Sequence, residues 1–366
     1  MTFISETARA WVDVDLGALV ANARTLATLT GARLLPMVKA NGYGLGAVPV
    51  ARALEAVDPW GFGVASVEEG AALRAAGIDR PILVVSPLLP EAVDAHLAHD
   101  LRPAIGDNTA LEAWLGRSAK PFHIEIDTGM SRAGIRWDDG AAVRAASDAL
   151  RGTTGWEGVF THFHSADSDP TSVVQQWERF EHVLGALPRR PALVHAANSG
   201  GALRGGAHAA DMIWPGIFLY GGGAGGTAPR PVATLRARVL AVRRIEAEDT
   251  VSYGAAWRAP RSTTVATLGL GYADGFLRAA HVAGRGSEAV PRLVELGGAL
   301  VPVVGRVTMD MTMVDAGGAR PAPGDVATIY GGRVSLDQQA AAAGTIAYEL
   351  LTALGARVPR RYSETS

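Results

Sequence analysis

The sequence predicts an α/β protein: a (β/α)8 TIM-type barrel followed by a mainly β C-terminal domain. Three observations carry this. Short apolar runs alternate with longer amphipathic stretches through the first two-thirds of the chain, the pattern of repeated βα units. A Gly/Pro-rich stretch at 221–231 (GGGAGGTAPRP) then interrupts the alternation. Beyond it helical periodicity fades, and apolar runs are separated by Gly, Pro and Asp turns. The 366 residues suit this division, since a barrel takes roughly 250 residues and leaves room for one smaller domain.

The elements follow in order. An amphipathic helix at 16–29 precedes the first strand. Strands are expected at 34–38, 61–64, 82–85, 101–104, 122–126, 159–161, 192–195 and 212–213, each a short apolar run bounded by polar or turn residues. Helices are expected between them at 48–56, 67–76, 90–98, 109–115, 141–150, 173–187 and 200–204. Strand count alone leaves a doubly wound sheet as the structural alternative. In the second domain strands are expected at 239–245, 263–268, 301–304, 312–315 and 326–329, with a late helix at 338–351. The domains are therefore set at 1–230 and 231–366. The strand-like run 10–14 is a candidate to join the second domain.

Composition excludes several function classes. Hydrophobic residues make up 48% and charged residues 19%, as in a globular protein rather than a disordered one. The net charge is −2 and no Lys/Arg block stands out, so no nucleic-acid partner is expected. The chain has no cysteine, which excludes disulfides, thiol catalysis and Cys-ligated metals and suits a reducing cytoplasm. The first residues, MTFISETARAWVDVDLGAL, lack the basic and apolar regions of a signal peptide. The longest apolar runs, 82–85 and 300–304, fall far short of the roughly 20 residues of a membrane span. A cytoplasmic protein without membrane or metal is expected.

In a (β/α)8 barrel the chemistry sits at the C-terminal ends of the strands. Lys39 directly follows the first expected strand, Asp127 and Arg132 the fifth, His162 the sixth, Asn198 and Ser199 the seventh, and Gly216 and Ile217 the eighth. A lysine at such a position would have a desolvated amine, and burial lowers a lysine pKa and frees the amine for imine chemistry. The glycines of VKANGYGLG (38–46) would let backbone approach a bulky ligand. A surface lysine before a flexible loop is the alternative, and spacing alone favours it. Lys39 and Lys120 are the two lysines of the chain, against 32 arginines. NSGG at 198–201 and PGI at 215–217 could cradle an anion with hydroxyl and backbone N–H groups. Ordinary helix capping by Ser199 is the competing reading.

The ordered segments VKANGYGLG (38–46), DTGMSRAGI (127–135), THFHSAD (161–167), ANSG (197–200), DMIWPGIFLYG (211–221), VSYGAAW (251–257), LGYADGFLR (270–278) and GRVTMDMTMVD (305–315) together resemble the alanine racemase family of fold-type III pyridoxal-phosphate enzymes. The resemblance runs nearly end to end. It implies pyridoxal 5′-phosphate as cofactor, an amino acid as substrate, and a homodimer with shared active sites. It implies that Lys39 carries the cofactor as an imine and serves as one acid/base, with Tyr253 of the partner subunit as the other. Tyr43, Ser199, Gly216 and Ile217 would hold the phosphate, Asn198 would also bind the cofactor, and His162 and Trp214 would stand around its ring. Arg132 would face the cofactor phenolate and the substrate carboxylate, the Met309 backbone would help bind that carboxylate from across the dimer, and Asp167, Tyr272, Arg278 and Arg306 would line the entrance. The chemistry explains the two bases. An α-hydrogen is removed from one face of the carbon and returned on the other, so proton carriers must lie on opposite sides. Lysine and tyrosine both have ordinary pKa values of about 10 and need their surroundings to lower them.

Three positions depart from the family pattern. Trp214 stands where the family typically has an arginine that donates to the cofactor's ring nitrogen. Indole also donates without accepting, so Trp214 either preserves an unprotonated nitrogen without the charge or turns away from it. Ala356, aligned on the RVPR at 357–360, stands where a tyrosine reaches the phosphate. Glu125 stands where many members have a carbamylated lysine, and its carboxylate would keep the negative charge that orients Arg132. The first two changes suggest a pocket wide enough for a larger amino acid. Alternatives to alanine racemisation are therefore a racemase or epimerase of a larger amino acid, a decarboxylase or other imine-forming lyase, and a non-catalytic cofactor-binding relative.

Overall fold

The computed structural model describes residues 7–278 and 291–364. Its first part is a ring of eight parallel strands. In order these are Arg33–Leu34 with its extension through Met37, then Phe62–Val64, Ile82–Pro87, Arg102–Ile105, Phe122–Asp127, Trp156–Phe160, Leu193–His195 and Met212–Ile213. Closure decides between barrel and open sheet, and it rests on the first strand. Arg33 and Leu34 pair with Met212 and Ile213 on one side. On the other, Met37 bridges to Gly63, the Val38 N–H donates to the Gly63 carbonyl at 2.8 Å and the Gly63 N–H donates to the Pro36 carbonyl at 2.9 Å.

The strands are apolar because a parallel barrel covers both faces of its sheet. Phe122–Asp127 is buried along its whole length. Side chains alternate, so Phe122, Ile124 and Ile126 pack outward with helix residues such as Leu111, Trp114 and Val143. His123, Glu125 and Asp127 take the opposite face, the barrel interior. Small residues make room there. A Cβ on Gly158 would lie 2.6 Å from His123 Nδ1, and one on Gly63 would lie 2.3 Å from Met37 Sδ. The outer helices begin where the sequence provides caps. Asp15, Ser66, Asp107, Asp139 and Asp169 each accept from a backbone N–H of the helix they start.

The second part is a closed six-stranded sheet, in the order Thr263–Leu268, Thr312–Asp315, Ala299–Val304, Leu293–Leu296, Val326–Tyr330 and Ala233–Ile245, which returns to the first. The strand Ala10–Asp15 pairs antiparallel with Ala233–Ile245, and Arg360–Ser363 runs parallel beside it. The expected single late helix is two, Leu336–Ala342 and Ala347–Thr352, because Gly344 turns the chain at φ +71° between them. The 221–231 stretch is pinned at its end. Asn22 accepts from the Arg230 N–H and donates to the Arg230 and Leu219 carbonyls. Among the described residues no helix is long and apolar enough to cross a membrane.

The two parts meet at the segment after Lys39. Arg360 Nε donates to the Gly44 carbonyl at 2.9 Å, and the Tyr362 hydroxyl donates to the Leu45 carbonyl at 2.9 Å. Gly44 lies so close to the helix Ala347–Thr352 that a Cβ on it would fall 2.1 Å from the Leu351 carbonyl oxygen, and its φ is +78°. Gly44→Ala should therefore destabilise the protein by about 2 kcal/mol or more, read as a lower urea midpoint. An unchanged midpoint would contradict the close approach.

Candidate active site

A cavity of about 580 Å³ opens at the C-terminal ends of the barrel strands. Ten of the residues singled out from the sequence line it: Lys39, Tyr43, Arg132, His162, Asp167, Asn198, Ser199, Trp214, Gly216 and Ile217. A larger cavity of about 690 Å³, lined by Leu16, Val20, Arg24 and Ala53 among others, gathers no comparable set of reactive side chains.

Lys39 is half-buried at the head of an unusual turn. Ala40, Asn41, Gly42 and Tyr43 all have φ between +51° and +62°, a left-handed helical turn built mostly from non-glycine residues. Such a conformation costs roughly 1–2 kcal/mol per non-glycine residue. Glu69 holds its start. Its carboxylate accepts from the Ala40 N–H at 2.6 Å and from the Ala65 N–H at 2.8 Å. Burial pushes the Lys39 amine below its ordinary pKa, Arg132 pushes it further, and Glu69 opposes both.

The turn aims Tyr43 inward. Its ring stacks on Tyr220 at 4.4 Å, and the Tyr220 hydroxyl donates to the Met37 carbonyl at 2.8 Å. Burial raises the pKa of both phenols, so both stay protonated. Tyr43 closes on the eighth strand end: a Cβ on Gly216 would lie 2.2 Å from the Tyr43 hydroxyl. Opposite, Ser199 Oγ is fully buried and accepts from the Gly216 N–H at 2.9 Å. Asn198 lines the cavity, but its amide is engaged with backbone, accepting from Gly201 N–H and donating to the Phe163 carbonyl. It positions this loop.

His162 and Arg132 complete the rim. Gln176, buried and unnoticed in the sequence, ties their loops together. Its amide donates to the His162 carbonyl and to Thr128 Oγ1, and its carbonyl accepts from the His164 N–H. Asp127 shapes the turn that carries Arg132 by accepting from the Gly129 and Ser131 N–H groups. Burial, Arg132 and Lys39 lower His162 to about 3, so it is a neutral imidazole. Trp214 packs edge-on against it with ring centroids 5.0 Å apart.

Ala356 does not line the cavity, whereas Tyr348, not singled out from the sequence, does. Tyr348, from the helix Ala347–Thr352, reaches the cavity with its ring 6.1 Å from Tyr43. The sequence carried a signal for it, since Ala347, Leu350 and Leu351 form the buried face of that helix and leave Tyr348 off it. Glu125, expected to keep a full negative charge beside Arg132, is buried with Oε2 unpartnered and forms no ion pair with Arg132 among the described residues. Burial pushes it up to about 7, against the pull of Arg132.

Tyr253, Tyr272, Arg278, Arg306 and Met309 do not line this cavity. They lie on the surface of the second part. Tyr253 is 68% exposed and Met309 53%. Ser252 Oγ donates to the Arg306 carbonyl, and the Tyr272 N–H donates to the Thr308 carbonyl, so Tyr253, Arg306, Met309 and Tyr272 form one cluster. Among the described residues no group of His, Asp or Glu is placed to hold a metal ion.

Residues 14–224 match the family model for the alanine racemase N-terminal domain, and residues 232–362 that for the alanine racemase C-terminal domain. The alanine racemase of Deinococcus radiodurans is 40% identical over 96% of this chain and 99% of its own, and that of Desulfovibrio desulfuricans is 36% identical over 97% and 98%. The structure resembles the alanine racemase of D-cycloserine-producing Streptomyces lavendulae (TM-score 0.87, 33% identity, 98% of each chain). It also resembles that of Bartonella henselae with covalently bound pyridoxal phosphate (TM-score 0.88, 30% identity, 97% and 100%).

Glu125 makes stability depend on pH. The folded protein keeps its proton up to about pH 7, whereas the ordinary value is 4.5. Between the two the folded state binds more protons than the unfolded, so stability falls as pH rises through that window, by roughly 3 kcal/mol at most. Glu125→Gln should remove this slope in urea denaturation followed from pH 4.5 to 8. An identical slope in the variant would rule the buried carboxyl out as its source.

Proposed function

The chain belongs to the alanine racemase family, pyridoxal-phosphate-dependent isomerases acting on alanine, and we propose that it works by two bases, Lys39 and Tyr253, drawn from two subunits. The cavity suits the cofactor. Ser199 Oγ, Tyr43 and the Gly216–Ile217 backbone make a tight polar end for a phosphate. A half-buried lysine lines the same space, which aromatic rings bound. When bound, pyridoxal phosphate delocalises the negative charge left on an α-carbon whose proton has departed.

The residues divide the remaining work. Lys39 would hold the cofactor covalently until the substrate's amine takes its place, and the lysine amine so freed, pushed toward neutrality by burial, moves the proton on one face. Arg132, exposed on the rim, takes the substrate carboxylate. Neutral His162 supports the ring without adding charge. The phosphate end is fixed by Ser199, Tyr43, Gly216 and Ile217, with Tyr348 beside them. Tyr253 moves the proton on the other face, and Met309 contributes its backbone to the carboxylate. Asp167, Tyr272, Arg278 and Arg306 border the way in. Alanine is the substrate that a cavity narrowed by Tyr348 favours. The enzyme is placed in the cytoplasm, which a cysteine-free sequence suits.

The observation that carries the two-subunit reading is the exposure of Tyr253 on a face away from Lys39, together with the other residues of its cluster. A second copy brings such a face to the cavity without any change of fold. Lys39→Ala and Tyr253→Phe should each lose racemisation. Mixed under conditions of subunit exchange, they should recover about a quarter of wild-type activity, because half the dimers then carry one intact site of two. No recovery in verified mixed dimers would refute shared sites.

Exchange of the α-hydrogen in deuterated solvent, with chirality followed, tests the substrate. Alanine should exchange and racemise faster than serine or any bulkier amino acid. A clear preference for a bulky amino acid would overturn alanine as the substrate, and carbon dioxide release would point to a decarboxylase.

A further inference from the structure

The proposed site leaves the ring-nitrogen end of the cofactor to Trp214, and the role assigned to that residue rests on this reading of the site. Trp214 comes directly after the last barrel strand, two residues before Gly216 of the phosphate end. Its side chain is sunk into the barrel. Phe160 lies 5.2 Å away and His195 5.8 Å away between ring centroids, both edge-on or perpendicular, as His162 is. The residue is only 5% exposed, and that remnant lines the cavity.

The exposed remnant is not the polar part. The indole Nε1 exposes less than 1 Å² and has no hydrogen-bond partner. A ring nitrogen accepting a hydrogen bond must come as close to the donor as a water oxygen would. A donor so closed to water therefore cannot serve an acceptor in the cavity unless the side chain moves, and three packed rings hold it in place. Nothing nearby substitutes for it with charge. His162 and His195 are both driven neutral by burial, and the Nδ1 of each is itself buried without a partner. His195 Nε2 is engaged with His123 Nδ1 at 2.8 Å, deeper in the barrel.

We infer that Trp214 closes the ring-nitrogen end of the site with indole carbon rather than with a donor, so that this nitrogen stays neutral and free of any hydrogen bond from the protein. Of the two roles open to a tryptophan at this position, the packing selects the one that abandons the contact. A neutral, unpaired ring nitrogen withdraws charge from the α-carbon less strongly than a protonated one. The site then leans on its two proton carriers and on Arg132, and breaking a bond to the substrate carboxyl is disfavoured.

The test uses full-length protein loaded with pyridoxal phosphate carrying ¹⁵N in the ring. The expected ¹⁵N resonance is that of a neutral pyridine without a hydrogen bond. Trp214→Phe, which keeps an aromatic ring and removes the N–H, should leave that resonance where it is. A hydrogen-bonded or pyridinium resonance in the wild type overturns the inference, as does a shift on Trp214→Phe. Should that variant not fold, the wild-type resonance decides alone. Failure of the lysine-linked absorbance band to form sinks the reading of the site and the inference with it, whereas a formed band with a pyridinium resonance sinks the inference only.

Discussion

The left-handed turn from Ala40 to Gly44 is the constraint on which both the fold and the site depend. Three of its residues, Ala40, Asn41 and Tyr43, are not glycine, so the turn stores roughly 3–6 kcal/mol of backbone strain, comparable to the whole net stability of a typical domain. Such a conformation persists only where its surroundings over-determine it. Here Glu69 fixes its start, stacking of Tyr43 on Tyr220 fixes its middle, and Arg360, Tyr362 and the Leu351 backbone fix its end. The last three come from the far end of the chain. Docking of the second part on the barrel and placement of Lys39 are thus one event. A regular right-handed helix starting at Lys39 would carry Tyr43 elsewhere and leave the eighth strand end without its cover.

The same turn explains why a barrel rim alone does not finish the chemistry. Lys39, Arg132, His162 and Ser199 all reach the cavity from strand ends and so approach a ligand from the barrel's side. The cover over the rim within the chain is Ile346, Tyr348 and Thr352. Tyr348 has the right functional group for a second proton carrier but the wrong environment. Burial, Asp167 and Asp337 raise its phenol to about 12, which makes it a poor base near neutrality. The exposed Tyr253 cluster lies outside this cavity, on the surface of the second part.

Much of this was legible in the sequence, for a local reason. Barrel strands are short apolar runs between turn residues, and runs such as 122–126 and 212–213 announce themselves. Closure was not legible, because it depends on three backbone contacts of Met37, Val38 and Gly63 that leave no pattern in composition. The left-handed turn was not legible either: the glycines of VKANGYGLG suggest flexibility, whereas the structure uses them in a fixed, strained geometry. Tyr348 left a local signal, since the helix face opposite Leu350 and Leu351 is the one that meets the cavity. The charge of Glu125 was misjudged because a residue's identity says nothing about its burial.

Burial also sets the electrostatics of the site as a whole. Among the titratable groups of the barrel interior are His123, His195, His162 and Glu125, each of which could have placed charge beneath a ligand. Each is driven toward its neutral form by desolvation. At the rim, Arg132 and Glu69 act on Lys39 in opposite senses. The amine feels the arginine as a push toward neutrality and the carboxylate as a pull toward charge, on top of its own desolvation. With these four groups driven toward neutrality, the balance at Lys39 is left to its own burial, Arg132 and Glu69.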